Sequence, residues 1–192
     1  MPTNKQKMLF LVVFIYAATS TYAQVESVHL QELMELSARR LVIAEQVALA
    51  KWDNGTPVED VSREDHVIAS ATKAGQSRGL DPTSVSNFFR AQIEANKLVQ
   101  YSLLAEWRRE GRAPDHTPVD LASTIRPELD EVDKALLSEL EKIAAVRSSA
   151  SCRTDIAKAV GKYVSAHTKQ FGPLKAIALD RALATACIDR RR

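Results

Sequence analysis

The sequence predicts a single all-α domain, and three observations carry that prediction. Apolar residues recur at helical spacing almost throughout, no sustained strand-like alternation occurs, and the six glycines lie mostly at breaks between periodic stretches. A length of 192 residues suits one domain with a sizeable core better than a tandem array.

The first stretch is set apart. Met1 to Lys7 carries Lys5 and Lys7 and no acid, Met8 to Ala18 is apolar, and Thr21-Tyr22-Ala23 places small residues at the outer positions before a cut. This is the pattern of a secretory signal peptide, 1–23, cleaved after Ala23, with 24–192 as the mature domain. The apolar run falls well short of the about 20 residues that span a bilayer, so no membrane association is expected after cleavage.

The helices follow in order. A first runs from about Val28 to Trp52 and stops at Asp53-Asn54-Gly55. A second begins between the cap signals Thr56-Pro57-Val58-Glu59 and Ser62-Arg63-Glu64-Asp65 and ends near Gly79. Asp81-Pro82 caps a third that reaches about Arg109, where the loop from Gly111 to Pro118 ends it. Three more are expected: about Arg126 to Val146, Cys152 to Thr168 and Pro173 to Arg190. That makes about six helices, with an N-terminal set over about 28–110 and a C-terminal half over about 120–192.

The whole chain has 26 Lys and Arg against 24 Asp and Glu, and the leader's two lysines account for the difference. A balanced mature chain offers nothing to nucleic acid. The two cysteines, Cys152 and Cys187, both lie in the exported part, where an oxidising compartment favours a disulfide. Such a bridge would join the start of the fifth helix to the end of the sixth.

Polar residues on apolar stripes are the functional signal. In the first helix Leu33, Ser37, Arg40, Ala44, Val47 and Lys51 follow at steps of three or four and share a face. A cation withdrawn from water needs an anion to meet it, so Arg40 and Lys51 imply a negatively charged ligand there. A tilted stripe, with both side chains reaching water or pairing with acids, is the alternative. In the third helix Asn96 and Gln100 interrupt the stripe Phe89, Ile93, Leu103, Trp107. Buried amides need hydrogen-bond partners, either a ligand or the core itself. Asp60, Arg63 and Glu64 stand at the start of the second helix, where exposed amide donors favour anions. No Ser-His or Cys-His arrangement, central carboxylate pair or metal-ligand cluster accompanies them. A pocket of this kind binds a compact dianion and suits a reaction that needs only positioning and electrostatic stabilisation.

Arg40, Lys51 in Ala50-Lys51-Trp52, Asp60-Val61-Ser62-Arg63-Glu64 and Asn96-Lys97-Leu98-Val99-Gln100 together resemble the helical, AroQ-type chorismate mutases in residue type and spacing, from about Leu30 to Trp107. The rest of the chain is similar to the exported (gamma) subclass, which has a signal peptide, a longer C-terminal helical half and a disulfide like Cys152 with Cys187. The resemblance implies the chorismate mutase type II fold, a periplasmic or secreted location, and conversion of chorismate to prephenate without a cofactor or metal.

It also implies residue roles. Arg40, Arg63 and Arg126 would meet the two substrate carboxylates, assisted by Asn96; cytosolic relatives borrow the arginine matched by Arg126 from a second subunit. Lys51 and Gln100 would donate to the ether oxygen, and Asp60, through its backbone, and Glu64 would meet the ring hydroxyl. Asn96 replaces the Ser or Thr frequent in relatives, and Lys97, where some exported members carry an acid, is expected to be peripheral. A homodimer is compatible with this assignment. The competing reading is a non-catalytic periplasmic helical binding or sensor module for a small dianion.

Overall fold

The computed structural model describes residues 4–188, with side chains from Val28 onward. The signal segment 1–23 therefore lies outside the residues whose side chains are described. The described residues are helical apart from turns and loops. Helix α1 (Asn4–Asn54) is followed by α2 (Val61–Gln76), α3 (Pro82–Glu110), a π-helical turn (Leu121–Ile125), α4 (Arg126–Lys142), the short α5 (Ala144–Arg147), α6 (Cys152–Ala166) and α7 (Pro173–Leu183).

Local chemistry explains most boundaries. Asp60 caps α2 by accepting from the Arg63 amide at 3.1 Å, and Asp81 caps α3 by accepting from the Ser84 amide at 2.7 Å, with Pro82 following it. Gly111 ends α3 at φ 74°, a left-handed conformation that costs glycine nothing.

Three expected boundaries differ: α1 begins at Asn4 instead of near Val28, and two more lie in the C-terminal half. The stretch from Arg126 to Val146 is not one helix: it breaks at the fully buried Ile143 and resumes as α5. The last helix stops at Leu183, short of the expected Arg190, because the chain must turn for Cys187 to reach Cys152. Thr185 Oγ1 fixes that turn by donating to the Asn87 carbonyl at 3.0 Å.

The core lies where α1 and α3 pack together, with α2, α4 and α7 closing around them. Phe88 and Phe89 are fully buried, as are Leu33, Leu41, Leu136 and Leu140. Each such side chain contributes about 1.5–3 kcal/mol of burial. At Gly75 a Cβ would come within 2.8 Å of Val85 Cγ2, so the glycine lets α2 approach α3 closely. A second cluster of Ala48, Val58, Leu104 and Trp107 anchors the loop between α1 and α2, and Trp52 meets Trp107 edge-on at 6.0 Å.

The C-terminal half buttresses this core. Cys152 and Cys187 form the disulfide, with Cα atoms 5.9 Å apart. The buried Arg147 binds the chain end, donating to the Ala186 carbonyl at 2.8 Å and to Ser84 Oγ at 2.5 Å. Gln92 ties three helices together through Ser37 Oγ and the Ala182 carbonyl.

Candidate active site

The inward stripe of α1 is buried along its whole length, Leu33, Ser37, Arg40, Ala44, Val47 and Lys51 alike. Asn96 and Gln100 on α3 are buried opposite it. Between them lies a cavity of about 110 Å³, lined by all eight residues singled out from the sequence: Arg40, Lys51, Asp60, Arg63, Glu64, Asn96, Gln100 and Arg126. Its apolar lining comes from Val47, Val67, Ile93, Leu121 and Leu129 among others. The π-helical turn before α4 brings Arg126 to the cavity from the same chain.

Hydrogen bonds hold the polar side chains in place. Asn96 Nδ2 donates to the Arg40 carbonyl at 3.1 Å, and Gln100 Nε2 donates to Asn96 Oδ1 at 2.6 Å. That bond uses one of Gln100's two amide hydrogens and leaves the other available. Lys51 Nζ donates to the Val58 carbonyl at 2.5 Å, with two further donors to offer. Asp60 receives Arg126 Nη2 at 3.1 Å, and Arg63 Nη2 reaches Asp130 at 2.6 Å. Glu64 accepts weakly from the Asp60 amide at 3.4 Å and more firmly from Lys97 at 3.1 Å.

The sequence reading did not anticipate Asp133. Arg40 pairs with this buried carboxylate through Nη1, while its Nε, also buried, has no partner among the described residues. Pairing with an acid was the alternative to a ligand for Arg40, yet the pair lines an open cavity instead of a closed core. The signal was present in the sequence: Leu129, Asp133, Leu136 and Leu140 form an inward stripe interrupted by one acid. Lys97 also differs from expectation. It is not peripheral, for it lines the cavity and its side chain is only 14 % exposed.

Burial presses the Arg40 guanidinium down to about 10, opposed by Asp130 and reinforced by Arg63. It stays cationic at neutral pH. Burial likewise lowers Lys51, against the support of Asp60, Glu64 and Glu59. The lining carries five cations, Arg40, Lys51, Arg63, Lys97 and Arg126, against the three carboxylates Asp60, Glu64 and Asp133. An excess of two positive charges matches a compact dianion. Among the described residues no three His, Cys, Asp or Glu side chains gather as a metal site.

Known proteins share this architecture. The family model for chorismate mutase type II matches residues 31–101. A secreted chorismate mutase of Mycolicibacterium smegmatis is 30 % identical over 155 residues, covering 81 % of this chain and 84 % of that protein. Among solved structures, a chorismate mutase from Burkholderia phymatum is similar over 86 % of this chain and 99 % of its own, with 41 % identity and a TM-score of 0.80. One from Burkholderia thailandensis covers 83 % and 99 %, with 31 % identity and a TM-score of 0.78.

Proposed function

This chain belongs to the chorismate mutase type II family, and from that premise we propose that the cavity between α1 and α3 is where it rearranges chorismate to prephenate. The observation that carries the assignment is the convergence of Arg40, Lys51, Arg63, Asn96, Gln100 and Arg126 on one cavity with surplus positive charge. The reaction breaks the ether C–O bond and forms a C–C bond in one cyclic shift of electron pairs. No proton is transferred and no covalent intermediate forms, so the protein's task is positioning and electrostatics.

Arg40, Arg63 and Arg126 hold the two carboxylates, and their planar forks fix orientation as well as charge. Arg40 enters this role with Nε unpartnered and buried. A buried donor left unsatisfied costs about 1–3 kcal/mol, which a substrate carboxylate would recover. Asn96 braces the Arg40 backbone. Lys51 and the free amide hydrogen of Gln100 donate to the ether oxygen, whose negative character grows as the bond lengthens. Such donors act chiefly in the transition state. The Asp60 backbone and Glu64 meet the ring hydroxyl from the start of α2.

All eight residues come from one chain, so turnover should not depend on a second copy even if the protein forms a homodimer. Location in the periplasm or outside the cell belongs to the same reading. It is supported by the Cys152–Cys187 disulfide and by relatives named as secreted enzymes. A binding or sensor module is not favoured, because the chain's relatives are named for their catalysis.

The test is chorismate consumption by the purified mature chain across a range of protein concentrations, alongside Arg40→Ala. Specific activity should be constant with concentration, and Arg40→Ala should lower kcat and raise KM while staying folded. A folded Arg40→Ala enzyme with near-normal turnover would remove the cavity from the reaction.

A further inference from the structure

One cation in the cavity wall has no part in the chemistry just described. Lys97, next to Asn96 on α3, meets three carboxylates: Glu94 at 2.8 Å, Glu59 at 3.0 Å and Glu64 at 3.1 Å. They come from α3 itself, from the loop between α1 and α2, and from the first turn of α2. Glu59 also accepts from Tyr101 Oη at 2.7 Å. The same loop supplies the Val58 carbonyl that holds Lys51 and the Asp60 that caps α2 and pairs with Arg126. A single ammonium thus fastens the segment that carries Val58 and Asp60, and it offsets acids standing beside a dianion's cavity.

Resting on the assignment of the cavity to chorismate, we infer that Lys97 is a positioning residue for substrate binding: it fixes the loop through Glu59, orients Glu64, and cancels carboxylate charge that would repel a dicarboxylate. Removing it would leave Glu59, Glu64 and Glu94 uncompensated and would halve the excess positive charge of the lining. The penalty should fall on association with the dianion more than on the bond-breaking step.

Asp60 and Asp133 stand in ion pairs that do not involve Lys97. Hydrogen bonds from Tyr101 and then Lys97 hold Glu59 below the usual carboxylate range. Burial works against the charge on Lys97, but the bonds to Glu94, Glu59 and Glu64 together raise it above the ordinary lysine value.

The experiment measures KM and kcat for chorismate with the wild type, Lys97→Met and Lys97→Arg. At neutral pH Lys97→Met should raise KM about tenfold and change kcat less than about threefold, with Lys97→Arg restoring most of the loss. A wild-type KM in Lys97→Met, or a raised KM that Lys97→Arg does not restore, would overturn the inference. Glu94→Gln keeps the lysine and serves if Lys97→Met does not fold: it should lower KM about twofold, and an unchanged KM contradicts the charge argument. A wild-type chain without turnover would instead remove the chorismate assignment on which the inference rests.

Discussion

Asp133→Asn isolates the one buried ion pair at the centre of the site. Arg40 and Asp133 are 4 % and 8 % exposed, so neither can turn to water when the other is lost. Removing one partner of a buried pair costs about 3–5 kcal/mol, because the remaining charge is left uncompensated. Asparagine keeps an acceptor for Arg40, and Asp130 continues to support the cation, so the expected loss falls below that range, at about 2–3 kcal/mol. For a chain of this size that is a fall in Tm of about 4–12 °C. The loss should shrink at saturating prephenate, since a bound dicarboxylate supplies the missing negative charge and ligand binding to the folded state adds stability. Differential scanning calorimetry with and without prephenate, paired with steady-state kinetics, reads both effects. KM should not rise as it does in Arg40→Ala, because the guanidinium is still present. An unchanged Tm, or a KM raised as far as in Arg40→Ala, would refute the reasoning.

Two further outcomes follow from the same geometry. Gln100 has an amide donor at every ordinary pH, so kcat should be flat from about pH 5 upward until Lys51 titrates. The protonated form of Lys51 is the active one and burial lowers its pKa in the free enzyme, so kcat/KM is held below that pKa and is lost as pH rises through it, earlier than an ordinary lysine near 10.4 would give. Gln100→Glu should instead lose activity as pH rises through the new carboxyl's own pKa, since an ionised carboxylate repels the ether oxygen's growing charge; a pH–rate profile identical to wild type would take Gln100 away from that oxygen. Replacing both Cys152 and Cys187 by Ser should cost about 3–4 kcal/mol by the chain-entropy account while leaving most low-temperature turnover, and a large drop in kcat with the fold intact would contradict a purely structural bridge.

The candidate site was legible in the sequence because burial and helical period leave a pattern along the chain. Arg40 and Lys51 at the spacing of α1, and Asn96 and Gln100 at the spacing of α3, were out of place on stripes that otherwise pack a core, and the structure buries all four around one cavity. Asp60, Arg63 and Glu64 followed from a helix start, a local signal. Asp133 carried the same kind of signal on α4, but its meaning depends on facing Arg40, a pairing between residues 93 positions apart that no periodicity reveals. Lys97 was misplaced for a related reason. Its position beside Asn96 turns it off the apolar stripe, and only the fold brings Glu59 and Glu64 to it. The helix ends misjudged at Ile143 and Leu183 are set by tertiary demands, a buried isoleucine in one case and the reach to Cys152 in the other. Propensity alone does not register either.

The most direct test of the account is the single-turnover rate of Lys51→Ala on chorismate, measured on protein whose helical circular dichroism matches wild type. Lys51 is held at the cavity by the Val58 carbonyl and stands for the claim that preorganised donors, with no nucleophile, carry the reaction. Loss of one such donor should lower the rate by about 10²–10³ with a much smaller change in substrate affinity. A folded Lys51→Ala enzyme that converts chorismate to prephenate within a few-fold of wild type would contradict it.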